Sequence, residues 1–227
     1  MSNISTFIES IRKHECVIGV IGMGYVGLPL ALAFAEKGFN VIGFDIDDSK
    51  IQALNNGESY IQHISSTRIK SAVDSGLFAS TTDFEEISET NAVLIAVPTP
   101  LTEHREPDLS YIISTTESMA SFIHENHLVV LESTTYPGTT EEVLLPILEK
   151  GSGLKAGDDF WLAFSPERED PNNPEFSTGT IPKVVGGHSP DGLRAATSLY
   201  GEIIVSMIPV SSCDAAEATK LVENIFR

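Results

Sequence analysis

Three glycines at G-x-G-x-x-G spacing, Gly22, Gly24 and Gly27, stand between an apolar β-branched run and an apolar helical run. No other feature of the chain narrows its fold so far. Val17 to Ile21 reads as a buried strand, Leu28 to Ala35 as a helix closed by Gly38, and Val41 to Phe44 as a second strand ending on Asp45. Strand, glycine turn, helix, strand and acid, in that order, is the layout of a dinucleotide site. Gly22 permits the tight turn, Gly24 lets a pyrophosphate approach the backbone, and Gly27 lets the helix pack against the sheet. The helix start adds free N–H groups and a positive dipole end for the phosphates, with Tyr25 and Val26 inside the same turn. Asp45 is placed to accept from the adenine-ribose hydroxyls. A 2′-phosphate there would meet like charge, so the expected cofactor is NAD and not NADP.

Arg12 and Lys13 precede an apolar run ending in Ala-Phe-Ala, a superficial signal-peptide pattern. Glu9 and Glu15 spoil the basic flank, and three glycines and Pro29 interrupt the run, so no targeting signal is expected. No uninterrupted apolar stretch reaches the ~18 residues of a membrane span. The formal net charge of -18 argues against nucleic acid or an anionic membrane as partner. An anionic substrate must therefore be caught by locally placed donors. Cys16 and Cys213 make neither a disulfide framework nor a metal cluster, and a reducing, cytoplasmic setting is expected. The six histidines show no metal-ligand spacing and read as surface or capping residues, with His124 and His127 flanking a turn into a strand. No metal is expected.

Taken in order, residues 1–14 form an amphipathic lead-in with Ile4, Phe7, Ile8 and Ile11 at helical spacing. Helices are expected over 48–55, 65–74, 110–123, 139–148, 190–200 and 214–227. Strands are expected over 77–80, 91–97, 128–131, 160–164, 183–185 and 203–207, with 57–64 a loop and 151–157 a Gly-rich linker. Strands alternating with helices predict an α/β fold with a doubly wound, mainly parallel Rossmann-type sheet. The polar residues at strand ends are then the interesting set. Pro98 and Thr99, Ser133 and Thr134, and Glu167 all follow strands expected to run parallel to the first, so they can converge over one sheet edge. Each alone reads equally well as a loop residue or a helix cap. Lys50 either borders the adenosine beside Asp45 or is a solvated surface lysine. In the last helix, capped by Ser212 or Asp214, Ala218, Leu221, Val222 and Ile225 form an apolar stripe, and Lys220 and Asn224 share a face. Spacing alone leaves both as solvated side chains.

The segments GMGYVGLPLA, FDIDDSKI, AVPTPL, ESTTYPGTT, SPERED and EATKLVENIFR together resemble the UDP-glucose/GDP-mannose dehydrogenase family, in the right order and across essentially the whole chain. GESYIQHI and SPERED look like the branch acting on UDP-N-acetylglucosamine, since UDP-glucose enzymes usually read SPEFLREG where this chain has SPEREDPN. The resemblance implies a nucleotide-sugar 6-dehydrogenase that oxidises the carbon-six alcohol twice, giving the uronic acid and two NADH. It also implies a cysteine that captures the aldehyde and passes through a thioester cleaved by water. By position, Thr134 would hold the water or base, Glu167 would stand at the substrate edge with Arg168 beside it, and Lys220 would stabilise the developing oxyanion. Asn224 would add a neutral donor, and Lys50 would reach the cofactor's adenosine end. The family's second glutamate has no clean match, because its position holds Pro171, and Glu169 is the available stand-in.

The family's nucleophilic cysteine lies in a Gly-Gly-His-Cys segment beyond the long central helix. Here Val185-Gly186-Gly187-His188-Ser189 carries serine and reads as a strand-end turn, while Cys213 comes before the helix. The expectation is therefore an NAD-binding domain over residues 1–210 and the start of the central helix over 211–227, a fragment that binds NAD without turning over. A full-length enzyme would pair through that helix as a homodimer or higher. The rivals are a stand-alone NAD-binding module, or the same enzyme class acting on UDP-glucose, UDP-N-acetylmannosamine or GDP-mannose.

Overall fold

The computed structural model describes residues 3–101, 107–167 and 182–226, with side chains as far as 223. The glycine turn follows β1 (Val17–Ile21) and opens α2 (Gly27–Glu36), which returns to β2 (Asn40–Phe44). Before this unit lies α1 (Asn3–Arg12), and after it come α3 (Asp48–Asn55), α4 (Ser66–Asp74) and β3 (Phe78–Thr81). The next strands are β4 (Ala92–Ile95), β5 (Leu128–Leu131) and β6 (Trp161–Phe164), with α5 (Ser110–Met119) and α6 (Leu145–Ser152) between them. The described chain closes with β7 (Lys183–Gly187), α7 (Pro190–Tyr200), β8 (Met207–Pro209) and α8 (Cys213–Phe226).

These strands form one sheet in the order β3-β2-β1-β4-β5-β6-β7-β8. The first six are mutually parallel, with Ile18 of β1 opposite both Val41 and Ala92. Such strands are covered on both faces, which is why they read as continuous apolar runs and not as alternating ones. The alternation reappears in which face each side chain serves. Leu94, Val130 and Ala163 join a core beneath α1, α2 and α7, while Val93, Val129 and Leu162 join a second core beneath α5 and α6. The doubly wound, mainly parallel sheet expected from the sequence is thus the one observed. The departures are β7, which runs antiparallel to β6, and β8, which runs parallel to β7. Gly186 and Gly187 extend β7 two residues beyond the expected end, and Ser189 then caps α7 by accepting from the Gly192 N–H at 3.0 Å.

Three local expectations are corrected. The run Ile203 to Met207 is not a strand as a whole. Ile203 and Ile204 are buried in the turn leaving α7, with both N–H groups donating to the Tyr200 carbonyl, so the strand begins only at Met207. Residues 151–157 are not a linker throughout: α6 runs to Ser152, and Gly151 lies within it, packed where a Cβ would sit 2.4 Å from that of Ala120. His127 is neither a surface nor a capping residue. It is fully buried, its Nε2 lies 3.0 Å from the Thr90 hydroxyl, and burial lowers its pKa to about 3. His124 does hold a turn, against the Thr90 carbonyl at 2.8 Å. Ser212, not Asp214, caps α8, accepting from the Ala215 N–H at 3.2 Å.

Candidate functional site

Because β1, β2, β4, β5 and β6 are parallel, their carboxyl ends open on one edge, where ligands of such sheets bind. A cleft of about 360 Å³ lies there. It is lined by Gly22, Gly24, Tyr25 and Val26 of the turn, Asp45 and Lys50 beyond β2, Pro98 and Thr99 beyond β4, Ser133 and Thr134 beyond β5, Glu167 beyond β6, and Lys220 of α8. A second hollow of about 670 Å³ shares Gly22, Asp45, Lys50, Val97 and Pro98 with it and extends over Ile46, Phe84 and Tyr111. The second hollow, with Ile46, Phe84 and Tyr111, supplies an apolar surface of the kind an adenine ring packs against. Of the remaining candidates, Gly27 lies behind the turn. Arg168 falls outside the described residues, as does Glu169, and so does the side chain of Asn224.

The glycine turn shows why these residue types are needed. Gly22 has φ +94°, and a Cβ on it would lie 2.6 Å from the Ala96 carbonyl oxygen. A Cβ on Gly27 would lie 2.0 Å from the Gly22 carbonyl oxygen. Gly24 differs: among the described residues, its chain neighbours aside, nothing lies within 4 Å of where its Cβ would be. The space a side chain would fill is the cleft itself, so the bare backbone faces open volume where a pyrophosphate could approach. The residues present therefore fit a dinucleotide.

Asp45 is buried and serves the turn first. Its Oδ2 accepts from the Met23 N–H at 2.9 Å and its Oδ1 from the Asp47 N–H at 3.0 Å. Lys50 is not a free surface lysine; its Nζ lies 2.9 Å from Asp45 Oδ2. A carboxylate offers about four acceptor sites, so capacity for a ribose hydroxyl remains. The strand-exit hydroxyls also have structural work. Thr99 Oγ1 donates to the Thr134 carbonyl at 2.8 Å and Ser133 Oγ to the Val97 carbonyl at 2.7 Å, stapling the β4 and β5 exits together. These hydroxyls are loop staples, and the residues that carry them line the cleft.

On the other side Lys220 donates to the Glu167 carbonyl at 2.6 Å, which brings α8 against the β6 exit. One turn earlier, Glu217 is fully buried and accepts from the Gly138 N–H at 2.7 Å, the Thr140 N–H at 2.9 Å and the Thr140 hydroxyl at 2.7 Å. Sequence reasoning missed both Glu217 and Glu132. Glu132 is fully buried yet borders the cleft; its Oε2 lies 2.7 Å from Lys183 Nζ, and Oε1 accepts from the Tyr200 hydroxyl. Lys183 also donates to the Ser165 and Pro166 carbonyls at 3.4 and 3.2 Å, just before Glu167. Burial pushes the Glu132 carboxyl upward; the Lys183 ammonium works against this and the nearby Glu167 charge adds to it. The signal for Glu132 was adjacency to Ser133. Its partner, on another strand, left no local trace. Among the described residues no group of His, Cys, Asp and Glu is placed to hold a metal ion.

A parallel sheet, a glycine turn, an acid at the end of β2 and a cleft across the carboxyl edge define a dinucleotide-binding domain. The comparisons with known proteins narrow that class. The model of the UDP-glucose/GDP-mannose dehydrogenase family, NAD binding domain, matches residues 16–204, and the chain belongs to this family. UDP-N-acetyl-D-glucosamine 6-dehydrogenase of Pseudomonas aeruginosa is 38% identical over 92% of this chain and 49% of that protein. The crystal structure of NDP-N-acetyl-D-galactosaminuronic acid dehydrogenase from Methanosarcina mazei Go1 superposes with a TM-score of 0.89 at 38% identity, covering 100% of this chain and 50% of that one. UDP-N-acetyl-D-mannosamine dehydrogenase of Pyrococcus horikoshii is 35% identical over 92% of this chain and 50% of that protein. The chain spans about half the length of the curated relatives it matches. No described helix is long and apolar enough to cross a membrane.

Proposed function

We propose that this chain is the cofactor-binding part of an NAD-dependent nucleotide-sugar 6-dehydrogenase acting on UDP-N-acetylglucosamine or a closely related UDP-sugar. Residues 1–210 form the NAD domain and 211–227 begin the connecting helix. The observation that carries this reading is the convergence of Thr134, Glu167 and Lys220 on the cleft that Gly24 opens. When bound, NAD would supply the hydride acceptor for the sugar's carbon six, and the hydroxyl proton would pass to the water or base held beside Thr134. The ammonium of Lys220 stabilises negative charge developing on the sugar oxygen, as a fixed cation does for an oxyanion. Thr134 helps hold the water or base at the reacting carbon, and Glu167 and Arg168 bind the sugar edge with Asn224 as a neutral donor. Asp45 and Lys50 hold the adenosine end, and the Asp45 carboxylate disfavours a 2′-phosphate.

The covalent route of the resemblance needs a thiolate, and neither cysteine of this chain supplies one. Cys16 and Cys213 are both buried, neither lines the cleft, and burial pushes both thiols upward. The chain alone is therefore expected to bind NAD without steady turnover, and the full-length enzyme to be a homodimer or higher. Calorimetric titration of the chain with NAD and NADP tests the first part. Micromolar-to-millimolar NAD binding with weaker NADP binding is expected, and no NAD binding by folded chain would overturn the reading. Steady NADH formation from NAD and UDP-N-acetylglucosamine by this chain alone would overturn the second part. A panel of UDP-sugars and GDP-mannose with a full-length protein decides the sugar.

A further inference from the structure

The family resemblance ties the loop 57–64, GESYIQHI, to the choice of sugar. In the structure it lies against the glycine turn. Ile61 and Ile64 are buried in the same core cluster as Met23 and Leu28, which anchors the loop. Ser59 Oγ accepts from the Ile61 N–H at 3.1 Å, and the Ser59 N–H donates to Ser66 Oγ at 3.0 Å at the start of α4. Between these anchors Tyr60 is presented to the turn, and its hydroxyl donates to the Met23 carbonyl at 2.5 Å. Three residues on, His63 stacks on Tyr25 with ring centroids 5.8 Å apart, and Tyr25 lines the cleft.

Met23 is the residue between the first two glycines, and it is held on every side. Its side chain is fully buried, so close to β2 that a Cβ on Gly43 would lie 2.6 Å from its sulfur. Its N–H is taken by Asp45 and its carbonyl by Tyr60. That carbonyl belongs to the peptide whose N–H is Gly24's. A hydrogen bond to the oxygen fixes the plane of the peptide, and with it the direction of the Gly24 N–H. The other Met23 restraints come from within the strand-turn-helix-strand unit; Tyr60 comes from outside it. Burial together with the Asp45 and Asp47 carboxylates pushes the Tyr60 phenol well above the ordinary tyrosine range, so it stays a donor at neutral pH.

We propose that Tyr60 is a positioning residue for the cofactor: its hydroxyl locks the Met23–Gly24 peptide so that the turn meets the pyrophosphate with its N–H groups already aimed. This rests on the reading of the cleft as an NAD site. The test is Tyr60→Phe in this chain, which keeps the ring and removes only the donor. NAD and ADP-ribose, which carry the pyrophosphate, are titrated by calorimetry, adenosine is titrated by NMR, and thermal unfolding is followed by circular dichroism. NAD and ADP-ribose are expected to bind about three- to tenfold more weakly, the span of one lost hydrogen bond, with adenosine unchanged. A role confined to structure would lower the thermal midpoint and leave the ratio of ADP-ribose to adenosine affinity untouched. That outcome, or an unchanged NAD affinity, overturns the inference alone. Absence of NAD binding by the unmodified chain overturns the cofactor reading, and the inference with it.

Discussion

Replacing Lys183 with methionine should cost about 3–5 kcal/mol of folding stability, the usual result of leaving a buried charge without its partner. The figure follows from the surroundings. The side chains of Lys183 and Glu132 are 6% and 0% exposed and their charged atoms are 2.7 Å apart. Methionine fills most of the lysine stem, so little packing is lost. What remains is a carboxylate shut away from water with the Tyr200 hydroxyl as its main donor. For a chain of this size each kcal/mol moves the thermal midpoint by roughly 2–4 °C, so a fall of about 6–20 °C is expected by circular dichroism. Adding Glu132→Gln removes the stranded charge and should restore more than half of the loss. The pH dependence has a definite sign. Without the ammonium, the folded Glu132 pKa lies further above its unfolded value of about 4.3. Stability then falls as pH rises from the unfolded toward the folded pKa, so the deficit is smaller at pH 5 than at pH 8. A single variant within about 1 kcal/mol of the parent at pH 8 would refute the reasoning, because that is the scale of an exposed pair. So would a deficit equal at both pH values.

Three further outcomes are expected. Gly24→Ala adds a Cβ that meets no atom of the described residues beyond its chain neighbours, so thermal unfolding should barely change while calorimetry shows NAD binding weakened tenfold or more; Gly27→Ala drives its Cβ to within 2.0 Å of the Gly22 oxygen and should instead destabilise the fold by about 1–3 kcal/mol. Asp45→Ala strips the Met23 N–H and Lys50 of their acceptor and should weaken NAD binding about tenfold or more while narrowing the NAD-to-NADP ratio, read from paired titrations. His127, neutral when folded down to about pH 3, stabilises fully above its unfolded pKa and loses that contribution as pH falls. His127→Gln should therefore flatten the acid limb of the urea-stability profile, where this residue alone contributes about 1.4 kcal/mol per pH unit below its unfolded pKa of about 6.5.

The cofactor end was legible because its signals are local. The β1–α2–β2 unit writes its strands as apolar runs, its turn as glycines and its acid at a fixed remove, all within one stretch. The parallel strands, once recognised, also placed Thr99, Thr134 and Glu167 at one edge without any knowledge of contacts. What escaped depends on partners far along the chain. Glu132 looks like any strand-end acid until Lys183 arrives from β7, and Lys183 looks like a surface residue beside an apolar run. His127 was misjudged because its turn gave no hint that Thr90 would cover it. The run Ile203 to Met207 has strand composition, but the end of α7 claims its first N–H groups. Lys50 stayed ambiguous because spacing cannot tell a salt-bridged lysine from a solvated one.

Two contacts of α8 make the helix a gauge with fixed marks. Glu217 is clamped to Gly138 and Thr140, and Lys220, three residues later, reaches Glu167. Substitutions between the two marks leave their separation alone. One inserted or deleted residue does not: it swings everything beyond it by about 100° around the helix axis, a single step of a 3.6-residue turn. With Glu217 clamped, Lys220 would then point away from the cleft. Over the short Ala218–Thr219 stretch the chain is open to changes of residue and closed to changes of length.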